Sequence, residues 1–139
     1  MGHEWIMRIP LMVFTNIKND FSQVIKEKYN ITDKNFTAVG SNDTPAVFPF
    51  IYVQLMSANE EGEDLEGTSI NAGSFSIQID VIDNQSQTRA REVMTELLGI
   101  MKSMRFQCVS IPSFITSTND TRRMTARFSR IIGVNDVLK

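Results

Sequence analysis

The sequence predicts an α+β fold in which a largely antiparallel, mixed β-sheet carries two main helices packed on one face. Two segments, residues 10–29 and 84–104, have a single apolar stripe at helical spacing. Two others, residues 74–81 and 121–132, alternate apolar and polar side chains, as half-buried strands do. Because the order is helix, strands, helix, strands, both helices can cover the same side of one sheet.

The length of 139 residues fits one domain. We assign residues 1–9 to a flexible N-terminal segment and residues 10–139 to a single α+β domain. The first helix is expected from Pro10 to Tyr29, since proline is well tolerated in a first turn. Its predicted apolar stripe consists of Phe14, Ile17, Phe21, Val24 and Ile25.

Three strand segments are predicted between the helices. Residues 36–40 form a short strand candidate, and residues 46–56 are apolar at nearly every position, as in a strand covered on both faces. Pro49 cannot donate a ladder hydrogen bond, so we expect it near an edge or a bulge. In residues 74–81 the inward side chains are predicted to be Phe75, Ile77, Ile79 and Val81.

The second helix has the clearest pattern in the chain. Asn84 or Ser86 can cap it, and Gly99 in its interior suggests close packing there. Its wide apolar face comprises Ala90, Val93, Met94, Leu97, Leu98, Met101 and Met104. Short strands are then expected at residues 106–111 and 114–116, on either side of Pro112.

Charge is polarised along the chain. Residues 59–66 contain five acids, and without them the net charge of −2 would become +3. Residues 102–130 contain six basic residues and one acid. We expect protein contacts to involve Glu60, Glu61, Glu63, Asp64 and Glu66 on one side and Arg122, Arg123, Arg127 and Arg130 on the other. Guanidinium groups pair bidentately with carboxylates, so these two sets suit contacts between subunits or with a partner protein. The alternative is that both sets are solvated: a charged strand face and a charged hairpin tip.

No residue is assigned to catalysis, to a cofactor or to a metal, and we do not expect an enzyme. The single histidine, His3, lies at the chain start, and the single cysteine, Cys108, lies in an apolar strand context. The acidic segment lacks the spacing of an EF-hand loop. A carboxylate pair of Asp80 and Asp83 is a weaker candidate, because a strand position and a turn beside a helix cap explain both residues. The sequence also predicts neither a signal peptide nor a membrane span, so we expect an intracellular protein.

From Val47 onward the sequence resembles the tail terminator (tail completion) proteins of long-tailed bacteriophages. Four features carry the resemblance: FPFIYVQ at 48–54, SFSIQIDVID at 74–83, the helix containing Ala90 and Arg91, and RRMTARFSRIIG at 122–133. They cover roughly two-thirds of the chain and are patterns of strand and helix in a familiar order, not chemical motifs.

The resemblance implies a structural protein that forms a homohexameric ring on the tail tube, stops tube polymerisation and provides a surface for head–tail joining. The implied partners are copies of the chain, the tail tube protein, head or neck connector proteins and, in a contractile tail, the sheath. Membranes and sequence-specific nucleic acid are not among them. The implied location is the head-proximal end of the virion tail, after assembly in the bacterial host cytoplasm. Two alternatives remain: another head–tail connector or neck protein, and a small nucleic-acid-binding α+β module that uses the C-terminal arginines.

Overall fold

The computed structural model describes residues 4–38, 47–61, 72–115, 121–136 and 138, and these residues form an α+β architecture. The helices are α1 (Glu4–Asp20), α2 (Gln23–Tyr29) and α3 (Gln87–Ser103), with a short 3-10 helix at Asp33–Asn35. The strands are β1 (Phe36–Thr37), β2 (Phe50–Glu61), β3 (Ala72–Asp83), β4 (Gln107–Ile115) and β5 (Arg122–Gly133).

The strands form one mixed sheet in the order β1-β2-β3-β5-β4. Among the described strands, β1 alone pairs in parallel, with β2, and the other three pairs are antiparallel. The inward side chains of β3 and β5 share one buried core with those of α1 and α3. Among them are Phe75, Ile77 and Ile79, whose alternation was predicted. The predicted fold class is therefore confirmed.

The first helix differs from the prediction at its start. α1 begins at Glu4, six residues before Pro10, and its buried residues Ile9, Val13 and Ile17 follow one another at four-residue steps. Residues 4–9, assigned above to a flexible segment, therefore belong to a helix that is anchored in the core. Residues 1–3, with His3, lie outside the described residues.

The helix is also interrupted, which the prediction of one helix up to Tyr29 missed. Ser22 separates α1 from α2, because its hydroxyl accepts a hydrogen bond from Ile25 N while Glu96 accepts one from Ser22 N. Serine favours such cap positions over helix interiors. α1 therefore ends at Asp20 and α2 begins at Gln23, and Val24, expected in the apolar stripe, is 74% exposed.

β2 is covered on one face only, so the prediction of burial on both faces is wrong. Ile51 and Val53 are buried, whereas Tyr52 and Gln54 are half-buried on the side away from the helices. Pro49 lies just before the strand, and the pairing with β3 is irregular between Leu55 and Ser57.

The segment around Pro112 forms one strand, β4, and not the two short strands that were predicted. β4 pairs with β5 through two irregularities that flank Ser110. β4 is the last strand in the sheet order, and an edge strand can contain proline because one side of its backbone needs no ladder partner.

α3 agrees with the prediction except at Gly99. Ser86 is the N-cap, and its hydroxyl accepts a hydrogen bond from Arg89 N at 3.0 Å. A Cβ added at Gly99 would meet nothing within 4 Å, because this position faces away from the core. The expectation of close packing there is wrong.

Candidate protein-interaction surface

The four arginines of β5 divide between the two faces of the sheet. Arg123 and Arg127 lie on the open face, as their alternation with Met124, Ala126 and Phe128 predicts. Arg122 and Arg130 lie on the face that carries the helices, because they occupy the alternate positions of the strand from Arg123 and Arg127. The four residues therefore do not form one basic surface.

The open face has a polar centre around Asp80. This carboxylate is only 2% exposed, since neighbouring side chains cover it. Nε2 of Gln54 and Nε2 of Gln78 each donate to it at 3.2 Å, and the Thr125 hydroxyl also donates to it. Arg123 Nε lies 3.9 Å from Asp80 Oδ2, so the buried charge has a cation beside it.

Arg127 remains the most available arginine of the open face. Its side chain is exposed, and its Nε donates to Gln78 Oε1 at 2.9 Å. That contact aligns the guanidinium along the sheet and leaves other N–H groups for a partner, since arginine has five donors.

Arg130 has partners within its own chain, and its assignment to an interaction surface stays a prediction. Its Nη1 donates to the Met104 carbonyl at the end of α3 at 2.7 Å, and its Nη2 lies 3.5 Å from Asp136. The side chain is 10% exposed. Cations stabilise helix C-termini because these carry partial negative charge.

The acidic segment is described only in part. Glu60 and Glu61 are the last residues of β2, and Glu60 is exposed. Glu63, Asp64 and Glu66 lie outside the described residues. Glu60 is opposite Gly73 and Arg127 is opposite Gln78, so their rows are five residues apart along β3, or about 17 Å. Glu60 and Arg127 therefore do not pair within one chain.

β4 exposes an apolar ridge at the edge of the sheet. Val109 is 60% exposed and Ile111 is 81% exposed. No described strand pairs with β4 on its outer side. An exposed apolar edge strand is a template for association unless it is covered. The sequence predicted strands in this segment but not which of their side chains would be exposed.

An apolar groove lies near the opposite edge of the sheet, between α1 and β2. A cavity of about 420 Å³ there is lined by Ile6, Met7, Pro10, Leu55, Ala58, Asn59, Glu60 and Phe75. A smaller cavity of about 90 Å³ adjoins it at Pro10 and Leu55 and is also lined by Phe14, Ala38, Val53 and Ile77. We call these two cavities together the α1/β2 groove. No sequence signal marked it, because it depends on the first six residues of α1.

Asp80 and Asp83 do not form a catalytic pair. They lie three residues apart on one strand and therefore on opposite faces. Asp83 is fully buried and accepts hydrogen bonds from the backbone N–H groups of Gln85 and Ser86 and from Arg89. These contacts fix the turn into α3, as expected for a turn beside a helix cap.

A charged cluster joins α2 to α3. Tyr29 Oη donates to Glu92 Oε2 at 2.7 Å, and Lys28 Nζ lies 3.0 and 3.1 Å from the two carboxylate oxygens. The hydrogen bonds from Tyr29 and Lys28 lower the pKa of Glu92. The same hydrogen bonds raise the pKa of Lys28 and that of Tyr29. The cluster is a structural clamp between helices.

The described residues contain no group of three or more histidine, cysteine, aspartate or glutamate side chains placed to hold a metal ion. None of their helices has both the length and the apolar character to cross a membrane. Cys108 is half-buried, and its thiol contacts the Ser110 carbonyl at 3.3 Å.

Comparison with known proteins leaves the family of the chain open: no family model matches it, and no curated protein is significantly similar to it.

Proposed function

We propose that this chain is a structural virion protein that caps the end of a bacteriophage tail tube, stops its polymerisation and provides a surface for joining to the head or neck. The apolar edge of β4 carries the proposal, since an edge with Val109 and Ile111 exposed suits association with protein better than contact with water. The fold, with both long helices on one face of the sheet, is the one that the resemblance implies.

The proposed partners are copies of the chain, six in a ring by the resemblance, together with the tail tube protein and head or neck connector proteins. A contractile tail would add the sheath. Arg127 and the acids at the end of β2 are proposed to steer these contacts, because exposed ion pairs mainly set association rate and register. The proposed location is the head-proximal end of the tail.

The nucleic-acid-binding alternative has less support. Arg123 lies beside the buried Asp80, Arg127 donates to Gln78, and Arg130 is bonded to the end of α3, so three of the four arginines already have partners. The net charge of −2 gives no general attraction to phosphates.

The test is removal of this chain from the phage that encodes it, with electron microscopy of the resulting particles. We expect tails of uncontrolled length, because nothing would stop tube growth. Tails of normal length joined to heads would contradict the proposal. Tails of normal length that fail to join heads would replace it with the connector alternative.

A further inference from the structure

We infer that neighbouring copies of this chain join head to tail, with the β4 ridge of Val109 and Ile111 on one copy seated in the α1/β2 groove of the next. The inference rests on the proposed function only in taking the partner to be a second copy. It deepens that function by assigning the two surfaces of the contact.

The two surfaces lie near opposite edges of the sheet. β2 and β4 are separated by β3 and β5, which puts them about 14 Å apart at the usual strand spacing. The ridge therefore cannot fill the groove of its own chain. A knob on one side and a pocket on the other produce a head-to-tail contact, which gives a ring when the rotation closes.

The two surfaces match in their apolar chemistry. The groove is lined mainly by apolar side chains, and Met7 and Leu55 at the groove remain exposed at 72% and 44%. The ridge presents two branched aliphatic side chains. Seating them would remove apolar surface from water on both copies, which is the main driving force of stable association.

The strand register places the two surfaces at the same height. Leu55 pairs with Ile77, which pairs with Phe128, which pairs with Cys108. The next row connects Gln54 with Ser110 in the same way. Val109 is thus level with the stretch of β2 at Leu55, so two copies placed side by side need little shift along the strand direction to bring the two surfaces together.

Strand direction and charge are also compatible with a contact between the ridge and the groove. Three successive antiparallel steps make β4 antiparallel to β2, so the ridge of one copy would run antiparallel to the groove strand of the next. Arg105 is exposed in the turn between α3 and β4, and Glu60 lines the groove, so the two surfaces carry nearby charges of opposite sign.

The test uses one ridge variant and one groove variant of the full chain. Ile111→Asp and Leu55→Asp each place a carboxylate in the proposed apolar contact, so each should weaken self-association by at least about tenfold. Met7→Asp is a second groove variant at a more exposed position. Val24→Asp is the control, because Val24 is a similarly exposed aliphatic residue outside both surfaces. Circular dichroism verifies the fold, and sedimentation velocity gives the mass.

Mixing the variants separates a head-to-tail contact from a symmetric one. The Ile111→Asp chain retains an intact groove and the Leu55→Asp chain retains an intact ridge, so an equimolar mixture should give dimers and nothing larger. A wild-type chain that stays monomeric up to about 1 mM would overturn the inference. So would folded variants that assemble like wild type, or a mixture that remains monomeric.

The outcome is independent of the test of tail length. If the variants behave as expected but removal of the chain leaves tails normal, the contact stands and the capping function fails. If removal gives overlong tails but the variants still assemble, the function stands and the contact is wrong.

Discussion

At the residue scale, Glu92 shows how one side chain ties two helices together. It accepts hydrogen bonds from Tyr29 and Lys28 of α2, and these contacts lower its pKa below the ordinary 4.5. A carboxylate with a lowered pKa stabilises the fold above its ordinary pKa, and that contribution is lost as the pH falls through the folded-state value. Lys28 has a raised pKa, so its contribution persists until the pH rises past 10.5.

We expect Glu92→Gln to lower the melting temperature near neutral pH by an amount that shrinks with acid. The gap from wild type should close as the pH falls below about 4.5, because protonated glutamate and glutamine are then similar. Thermal unfolding of both proteins across this range measures the gap. Tyr29→Phe is the companion variant, since loss of the hydroxyl should bring the Glu92 pKa back toward its ordinary value. A gap that is the same at all pH values would show that the clamp does not depend on the charge.

The role of each arginine in β5 also depends on the groups around it. Arg127 is exposed, Arg123 faces a buried carboxylate, and Arg130 bonds the end of α3. Alternation along the strand correctly predicted which arginines share a face. It could not reveal the roles of Arg123 and Arg130, because these depend on Asp80 and on the Met104 carbonyl, which come from other elements.

At the scale of elements, two substitutions in α3 are expected to change the free energy of unfolding in opposite directions. Leu97 is fully buried against the sheet, so Leu97→Ala should cost about 2–5 kcal/mol through lost burial and a cavity. Gly99 faces open space in the same helix, so Gly99→Ala should add about 0.5–1 kcal/mol through the higher helix propensity of alanine. Urea unfolding measures both. A loss below about 0.5 kcal/mol for Leu97→Ala would mean that this face is not core.

Much of the element pattern could be predicted because one face of each long element is apolar. β3 and α3 follow their periodicity, and Ser86 caps α3 as proposed. The start of α1 was missed because Pro10 is normal in a first turn, yet the helix continues through it. A better guide was present in Ile6, Ile9 and Val13, which continue the helical spacing upstream.

The candidate surface was harder to predict than the fold. The ridge of β4 has the same composition as a buried strand, and only its place at the sheet edge leaves Ile111 exposed. The α1/β2 groove needs α1 to cross β2, which is a tertiary arrangement. Gly73 belongs to the same arrangement, because a Cβ there would lie 2.9 Å from Ile6 of α1.

At the scale of the whole molecule, the chain has a ridge on one side of its sheet and a groove on the other. Charge follows the same polarity: Glu60 lies at the groove, and Arg105 lies near the ridge. The proposed head-to-tail contact would use both sides, and whether such a repeat closes depends on the rotation between copies.

Electron microscopy of the purified chain at high concentration tests the proposed head-to-tail assembly most directly. We expect closed rings of one size, with six subunits by the resemblance, in which β4 of each subunit contacts α1 and β2 of its neighbour. Single particles the size of one chain, or dimers that join two identical surfaces, would contradict the account.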